Sequence, residues 1–170
     1  DKRMSSSKYA NGGVLLKDLK LPDYKDYAVK FEGHGTVVAS DMLNLGTYLM
    51  DVIKKNDNFR IFGPDEALSN RFNDVFKATN RKWNGQLLSS DEYLAANGKV
   101  IDSILSEHVC EGLLEGYLLT GRHGLMHSYE AFIRIVDSMA SQHAKWLKMC
   151  KEIPWRSDIA SLNYILTSHC

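Results

Sequence analysis

The sequence predicts an α/β fold, a mostly parallel sheet flanked by helices on both faces, and three observations predict it. Short apolar runs at Phe59–Phe62, 100–105 and 159–167 have the length and composition of strands. Helical periodicity precedes and separates them, at 38–53, 108–119 and 130–151. Turn signals divide the two kinds of element: Gly63 with Pro64, Gly121 with Gly124, and Pro154. Strands alternating with helices imply parallel pairing, because each strand returns across the sheet through a crossover.

Residues 1–35 are rich in Ser, Gly, Lys, Asp and Tyr without sustained periodicity, and are expected to form a linker laid over the surface of a domain at 36–170. In that domain Val38, Met42, Leu43, Leu45, Leu49, Val52 and Ile53 recur at helical spacing. Ser40 or Asp41 can cap this helix, which should end near Asn56. Phe59–Phe62 reads as a strand with Arg60 inside it, feeding the loop GPDEALSN at its C-terminal end. Between Asn70 and Gly98 only a helical turn near 72–76 is legible. Residues 100–105 read as a strand and 108–119 as a helix, and Gly121 and Gly124 bracket a loop. A longer helix over 130–151 carries Phe132, Val136, Met139, His143, Trp146 and Leu147 on one face, and Pro154 ends it. Residues 159–167, β-rich and without a turn signal, read as a buried strand.

Composition excludes several functions. The 170 residues are 44% hydrophobic and 25% charged, enough for one hydrophobic core. Lys and Arg balance Asp and Glu at 21 each and are interspersed, so no basic footprint argues for nucleic acid or an anionic membrane. No apolar run is long enough to span a bilayer and residues 1–8 are polar, so a cytoplasmic protein is expected. Three cysteines without metal-ligand or redox spacing, Cys110, Cys150 and Cys170, are expected to be reduced. His108, His123, His127 and His143 share no helical face, which argues against zinc.

The residue with most to explain is Glu107, an isolated carboxylate where an apolar strand gives way to a helix. Spacing alone favours the plain reading, in which Ser106 caps that helix and Glu107 complements its dipole. Glu66 and Ser69 likewise read as turn and cap residues after Pro64. Tyr129 and Phe132 read as aromatics of a helix start, and Cys110 as a small buried hydrophobe. Arg122 beside His123 is a phosphate-binding pattern whose commoner meaning is an exposed loop pair.

Five stretches carry a further signal: FRIFGPDEALSNR (59–71), SEHVCEGLLEGYLLTGRHGL (106–125), SYEAF (128–132), DSMASQHAKWL (137–147) and IPW with IASLNYILTSH (153–169). In this order they resemble the phosphoketolase family. That resemblance implies thiamine-diphosphate enzymes that cleave xylulose 5-phosphate or fructose 6-phosphate with inorganic phosphate, giving acetyl phosphate and an aldose phosphate. It implies that the chain is the pyrimidine-binding domain of a longer, homodimeric enzyme. Glu107 then matches the acid that hydrogen-bonds the cofactor's aminopyrimidine, an acid expected to be sheltered with its pKa raised. By the same resemblance Phe132 stacks on the pyrimidine, Tyr129 faces cofactor and substrate, and Glu66 and Ser69 lie near the substrate and its phosphate.

Departures from the family pattern are also present. The glycine–aspartate motif that holds Mg²⁺ and the cofactor's diphosphate is missing, as is a histidine-rich segment expected soon after His169, so the chain is expected to be inactive alone. Mg²⁺ and diphosphate would belong to the diphosphate-binding domain of a partner subunit. Leu113 stands where the family often has an aromatic, Ser157 with Asp158 replaces a basic-proline pair, and Met126 and His127 sit in a variable stretch. Two alternatives share these residues: a transketolase-like ketol transferase, and a non-catalytic dimerisation or regulatory domain.

Overall fold

A computed structural model describes Ser7 and residues 16–168, Ser103 excepted. Most of the first half of the expected lead-in, together with His169 and Cys170, lies outside the described residues. Helix α1 (Asp41–Lys55) starts where the sequence places a cap: the Ser40 hydroxyl accepts from the Leu43 amide at 3.4 Å. Asp41 in its first turn and Lys54 and Lys55 in its last complement the helix dipole. Its C-cap, Asn56, is buried and donates to the Val52 carbonyl at 2.8 Å and the Lys20 carbonyl at 3.1 Å. Its Oδ1 accepts from the Lys20 amide at 2.8 Å, so Asn56 clamps the lead-in against the domain.

Among the described residues six strands follow: β1 (Phe59–Phe62), β2 (Arg81–Lys82), β3 (Leu94–Ala95), β4 (Val100–Ile101), β5 (His123–Tyr129) and β6 (Tyr164–Thr167). They form one sheet in the order β3-β2-β4-β1-β5-β6, parallel throughout. Phe59 to Phe62 pair in register with His123 to Met126, while Ile61 and Phe62 pair with Val100 and Ile101. Side chains alternate across the pleat, so this register builds two cores. Phe59, Ile61, Val100 and Leu125 pack with Leu49, Val52 and Ile53 of α1 on one face. Phe62 and Met126 pack on the other with Cys110, Leu114 and Leu118 of α2 (Glu107–Leu119), three residues four apart on one helical stripe. Helices on both faces of a parallel sheet bear out the predicted fold class.

Four elements differ from the sequence reading. Residues 123–129 form the longest strand of the sheet, and Gly124 lies inside it because backbone and α2 press there: an added Cβ would meet the Arg60 carbonyl oxygen and a Leu114 methyl at 2.8 Å. Gly121 does turn the chain, at φ 85°. The strand at 100–105 stops pairing at Ile101, because Asp102 turns inward to the loop after β1, leaving Ile104 and Leu105 exposed. The helix expected over 130–151 begins as a 3₁₀ turn (Ile133–Val136) and becomes α3 only over Asp137–Lys151. The strand within 159–167 is β6, an edge strand and half-exposed instead of buried. The helical turn near Phe72 is a 3₁₀ segment (Asn73–Lys77). Cys110 and Cys150 are free thiols, and among the described residues no helix is long and apolar enough to cross a membrane.

Two glycines test this packing in opposite directions. A Cβ at Gly98 would lie 2.4 Å from the Arg81 carbonyl group, whereas at Gly116, inside α2, it meets nothing within 4 Å. Gly98→Ala is expected to destabilise the protein by about 3 kcal/mol through a backbone clash. Gly116→Ala should stabilise it by about 0.5–1 kcal/mol through helix propensity. Denaturant unfolding of the two variants checks both signs.

Candidate functional site

The C-terminal ends of parallel strands are where loops of an open α/β sheet gather side chains. Here β1 runs into Gly63 and Pro64, and the segment to Asn70 folds back between left-handed residues, Asp65 at φ 61° and Arg71 at φ 66°. Several bonds fix it. Ala67 donates its amide to Asp102 Oδ2 at 2.9 Å, and the Asn70 amide and Nδ2 donate to the Glu66 carbonyl at 2.8 and 2.9 Å. Thr167 on β6 donates to Asn70 Oδ1, and the Tyr129 hydroxyl at the end of β5 donates to Ser69 Oγ at 2.6 Å. The loop is therefore laced to β5, to β6 and to the residue that follows β4.

The structure brings Glu66, Ser69, Glu107 and Tyr129 together here, with Phe132 beside Tyr129. Glu66 is 8% exposed, and among the described residues its Oε2 has no hydrogen-bond partner. Burial, followed by the charge of Glu107, raises its carboxyl from 4.5 to about 7, while the Tyr129 amide and the Asn70 side chain oppose the rise. Glu107 opens α2 behind the Ser106 cap, whose Oγ accepts from Val109 at 3.4 Å, so the plain reading of Ser106 holds. Among the described residues nothing pairs with the Glu107 side chain, which is half-buried, less sheltered within this chain than the sequence reading expected. Tyr129 and Ser69 form a hydroxyl pair. Phe132, 43% exposed, stands beside Tyr129 with ring centroids 6.1 Å apart. Cys110 lies beneath, its thiol donating to the Gly63 carbonyl at 3.1 Å and pushed up to about 12 by burial and then by Glu107. It is a packing residue, as expected.

Sequence reasoning missed the supports. Asp102 is fully buried, bonded to Arg81 Nε at 2.8 Å and to the Ala67 amide, and its carboxyl is nevertheless raised by burial. An acid directly after a strand is the signal that would have marked it. His127, assigned to a variable stretch, is fully buried on β5, with Nδ1 at 3.3 Å from Asn70 Nδ2 and its ring edge-on to Phe72. Nothing marks it until 123–129 is known to be a strand. Arg122 and His123 lie at the opposite end of β5 and join no other candidate; His123 Nε2 contacts the Lys17 carbonyl at 2.7 Å. Among the described residues, no group of three or more His, Cys, Asp or Glu is disposed to hold a metal ion.

Chemically, the arrangement offers one acid that carries a proton near neutral pH, a second carboxylate at a helix head, a hydroxyl pair and an exposed aromatic face. Residues 43–170 match the family described as D-xylulose 5-phosphate/D-fructose 6-phosphate phosphoketolase. The chain is 56% identical over 173 residues to a probable phosphoketolase of Clostridium acetobutylicum, covering 99% of this chain and 22% of that protein. It is 57% identical over 172 residues to probable phosphoketolase 2 of Rhizobium meliloti, with the same shares covered. A probable phosphoketolase of Pseudomonas putida is 57% identical over 171 residues, again at 99% and 22%. The chain thus spans about a fifth of the length of these curated relatives.

The raised Glu66 carboxyl gives a test with a definite sign. Its folded value, about 7, exceeds its unfolded value near 4.5, so the folded state binds the extra proton between them. Stability therefore falls as pH rises through that window and is level above it. Glu66→Gln removes this dependence. The variant should match wild type near pH 5 and exceed it by about 2 kcal/mol at pH 8, read from unfolding curves at the two pH values.

Proposed function

Because the chain belongs to the phosphoketolase family, we propose that it supplies the aminopyrimidine-binding half of a thiamine-diphosphate site. The enzyme would cleave xylulose 5-phosphate or fructose 6-phosphate with inorganic phosphate to acetyl phosphate and an aldose phosphate. The observation that carries this reading is the unpaired Glu107 at the head of α2, facing a Glu66 whose carboxyl is raised to about 7. The residues present fit the cofactor: an acid free of partners among the described residues for a ring nitrogen, an exposed Phe132 face for a flat ring, and a buried, unpartnered Glu66 oxygen at the same end of the sheet.

When bound, thiamine diphosphate supplies a nucleophilic carbon able to attack a ketose carbonyl. The chain's residues have separate tasks around it. Glu107 would hold the pyrimidine nitrogen by a hydrogen bond and carry a proton there, becoming sheltered once a partner subunit covers it. Phe132 would stack on the pyrimidine. The Tyr129–Ser69 pair would face the substrate, Tyr129 fixing the direction of the Ser69 hydroxyl. Glu66, half-protonated near pH 7, would take or give a proton at its free oxygen. Mg²⁺ and the diphosphate are assigned to the diphosphate-binding domain of the partner subunit in a cytoplasmic homodimer, and the isolated chain would be inactive.

The test is acetyl phosphate formation by the full-length protein with thiamine diphosphate, Mg²⁺, phosphate and xylulose 5-phosphate. Turnover should require phosphate, and Glu107→Gln should lower it by about 10²- to 10⁴-fold, since the amide keeps the shape and loses the proton. Two-carbon transfer to an added aldose without acetyl phosphate would instead identify a transketolase-like enzyme. Silence in both assays would leave a non-catalytic domain, and unchanged turnover in Glu107→Gln would remove that residue from the chemistry.

A further inference from the structure

The far end of α2 carries an open cleft of about 590 Å³ at the start of β1 and β5. Its cationic side is built on one ring. The Arg60 and Arg122 guanidinium carbons lie 5.0 and 5.5 Å from the Tyr117 ring centroid. Arg60 Nη1 donates to the Tyr117 hydroxyl at 2.5 Å, and Arg122 Nη1 donates to Thr120 Oγ1 at 2.7 Å. Phe62, Ile101 and Leu113 supply an apolar wall.

Two cations within reach of one ring repel each other unless an anion joins them. Among the described residues no carboxylate pairs with either guanidinium. Asp57, the acid on the cleft's rim, is already bonded to Lys99 Nζ at 3.0 Å. Both arginines also complement the negative end of α2, Arg122 through Thr120, whose hydroxyl donates to the Tyr117 carbonyl at 2.6 Å, but that role takes only one donor from each. Each guanidinium therefore keeps most of its five N–H donors for something else. Cation–π contact with Tyr117 stabilises the charges without using those donors.

We propose that this cleft binds a small phosphorylated molecule, its phosphoryl group held between Arg60 and Arg122 and its carbon frame against Phe62, Ile101 and Leu113. A phosphate monoester matches the paired guanidiniums, which bind such oxygens two at a time, and the Tyr117 hydroxyl, which accepts from Arg60, keeps its proton to donate. The volume suits a ligand of nucleotide size or smaller. Tyr117 lies ten residues along α2 from Glu107, about 15 Å at the helical rise, so the two arginines are well separated from that acid.

Calorimetric titration of the full-length protein, loaded with thiamine diphosphate and Mg²⁺, tests the proposal. Glycerol 3-phosphate and AMP are the probes, sharing a phosphate monoester and differing in the ring. At least one should bind with a Kd of about 1 mM or tighter. Arg60→Gln/Arg122→Gln should weaken it by about tenfold or more, as loss of charge-assisted bonds requires. Arg122→Gln alone, which leaves strand β1 untouched, should weaken it in the same direction and guards against misfolding of the double variant. Binding of AMP alone would place a ring on the apolar wall, and binding of both would show that the phosphoryl group suffices. No binding of either probe at about 10 mM, or equal affinity in wild type and variants, overturns the proposal. So does a carboxylate from elsewhere in the full-length protein seated between the arginines. The readout is affinity, so its failure leaves the phosphoketolase reading intact.

Discussion

The meeting of Gly63 with His127 sets the geometry of the site. The imidazole fills the space beneath Gly63 so completely that an added Cβ would lie 2.0 Å from Nε2. This contact fixes where β1 ends against β5, and therefore where the loop bearing Glu66 and Ser69 departs. It also fixes the ring's protonation. Asn70 Nδ2 is a donor, so the Nδ1 it faces at 3.3 Å accepts, and the proton sits on Nε2. Among the described residues that N–H has no partner, and burial holds the group's pKa down at about 3. The interior accepts one unsatisfied donor here in exchange for a ring that locks strand and loop together, and a charged imidazole would cost far more.

Two acids near this lock show how partners decide a carboxylate's behaviour. Asp102 and Glu66 are both buried at the same end of the sheet, and burial raises both. Asp102 meets Arg81 and the Ala67 amide, two donors to two oxygens, so it anchors the loop. Removing either member of such a buried pair is expected to be costly, at about 3–5 kcal/mol, although the pair adds little net stability compared with an apolar replacement. Glu66 meets no cation and has Glu107 for a neighbour, so its proton stays on to about pH 7. The half-buried Arg81 serves the support, and the acids Glu66 and Glu107 are left beside each other.

The sequence discloses elements whose signals are local. Ser40 and Ser106 cap the helices they were expected to cap, and Phe59–Phe62 pairs over the whole expected run. Tertiary effects hide the rest. His127 and Ser128 sit in β5 fully buried, polar residues where a central parallel strand should read as apolar, and Gly124 is there for close packing although glycine usually signals a turn. An edge position cannot be read from residues 159–167, whose composition suits a buried strand equally well. At the site, resemblance to a family named the first ring of residues, and the structure gathers Glu66, Ser69, Tyr129 and Glu107. The supports Arg81, Asp102, Asn70 and His127 come from four separate segments, and only folding brings them together.

Helix α2 explains why the two ends of the molecule are held in a fixed relation. Cys110, Leu114 and Leu118 seal one stripe against the sheet. The neighbouring stripe buries acids: Glu111 is fully buried and accepts from the Tyr164 hydroxyl on β6, while Glu115 lies 3.6 Å from His143 of α3. That last contact has the spacing of an ion pair, yet burial raises the Glu115 carboxyl and lowers the His143 imidazole, so both shifts work against its being charged. A hydrogen bond between the two carboxyls raises Glu115 further and lowers Glu111 against the rise that burial gives it. Rotating α2 would strand these polar atoms in an apolar setting, and sliding it would break the stripe against the sheet. The helix is thereby pinned on two faces by groups that touch neither end, and the positions of Glu107 at its head and Tyr117 in its last turn follow from residues lying between them.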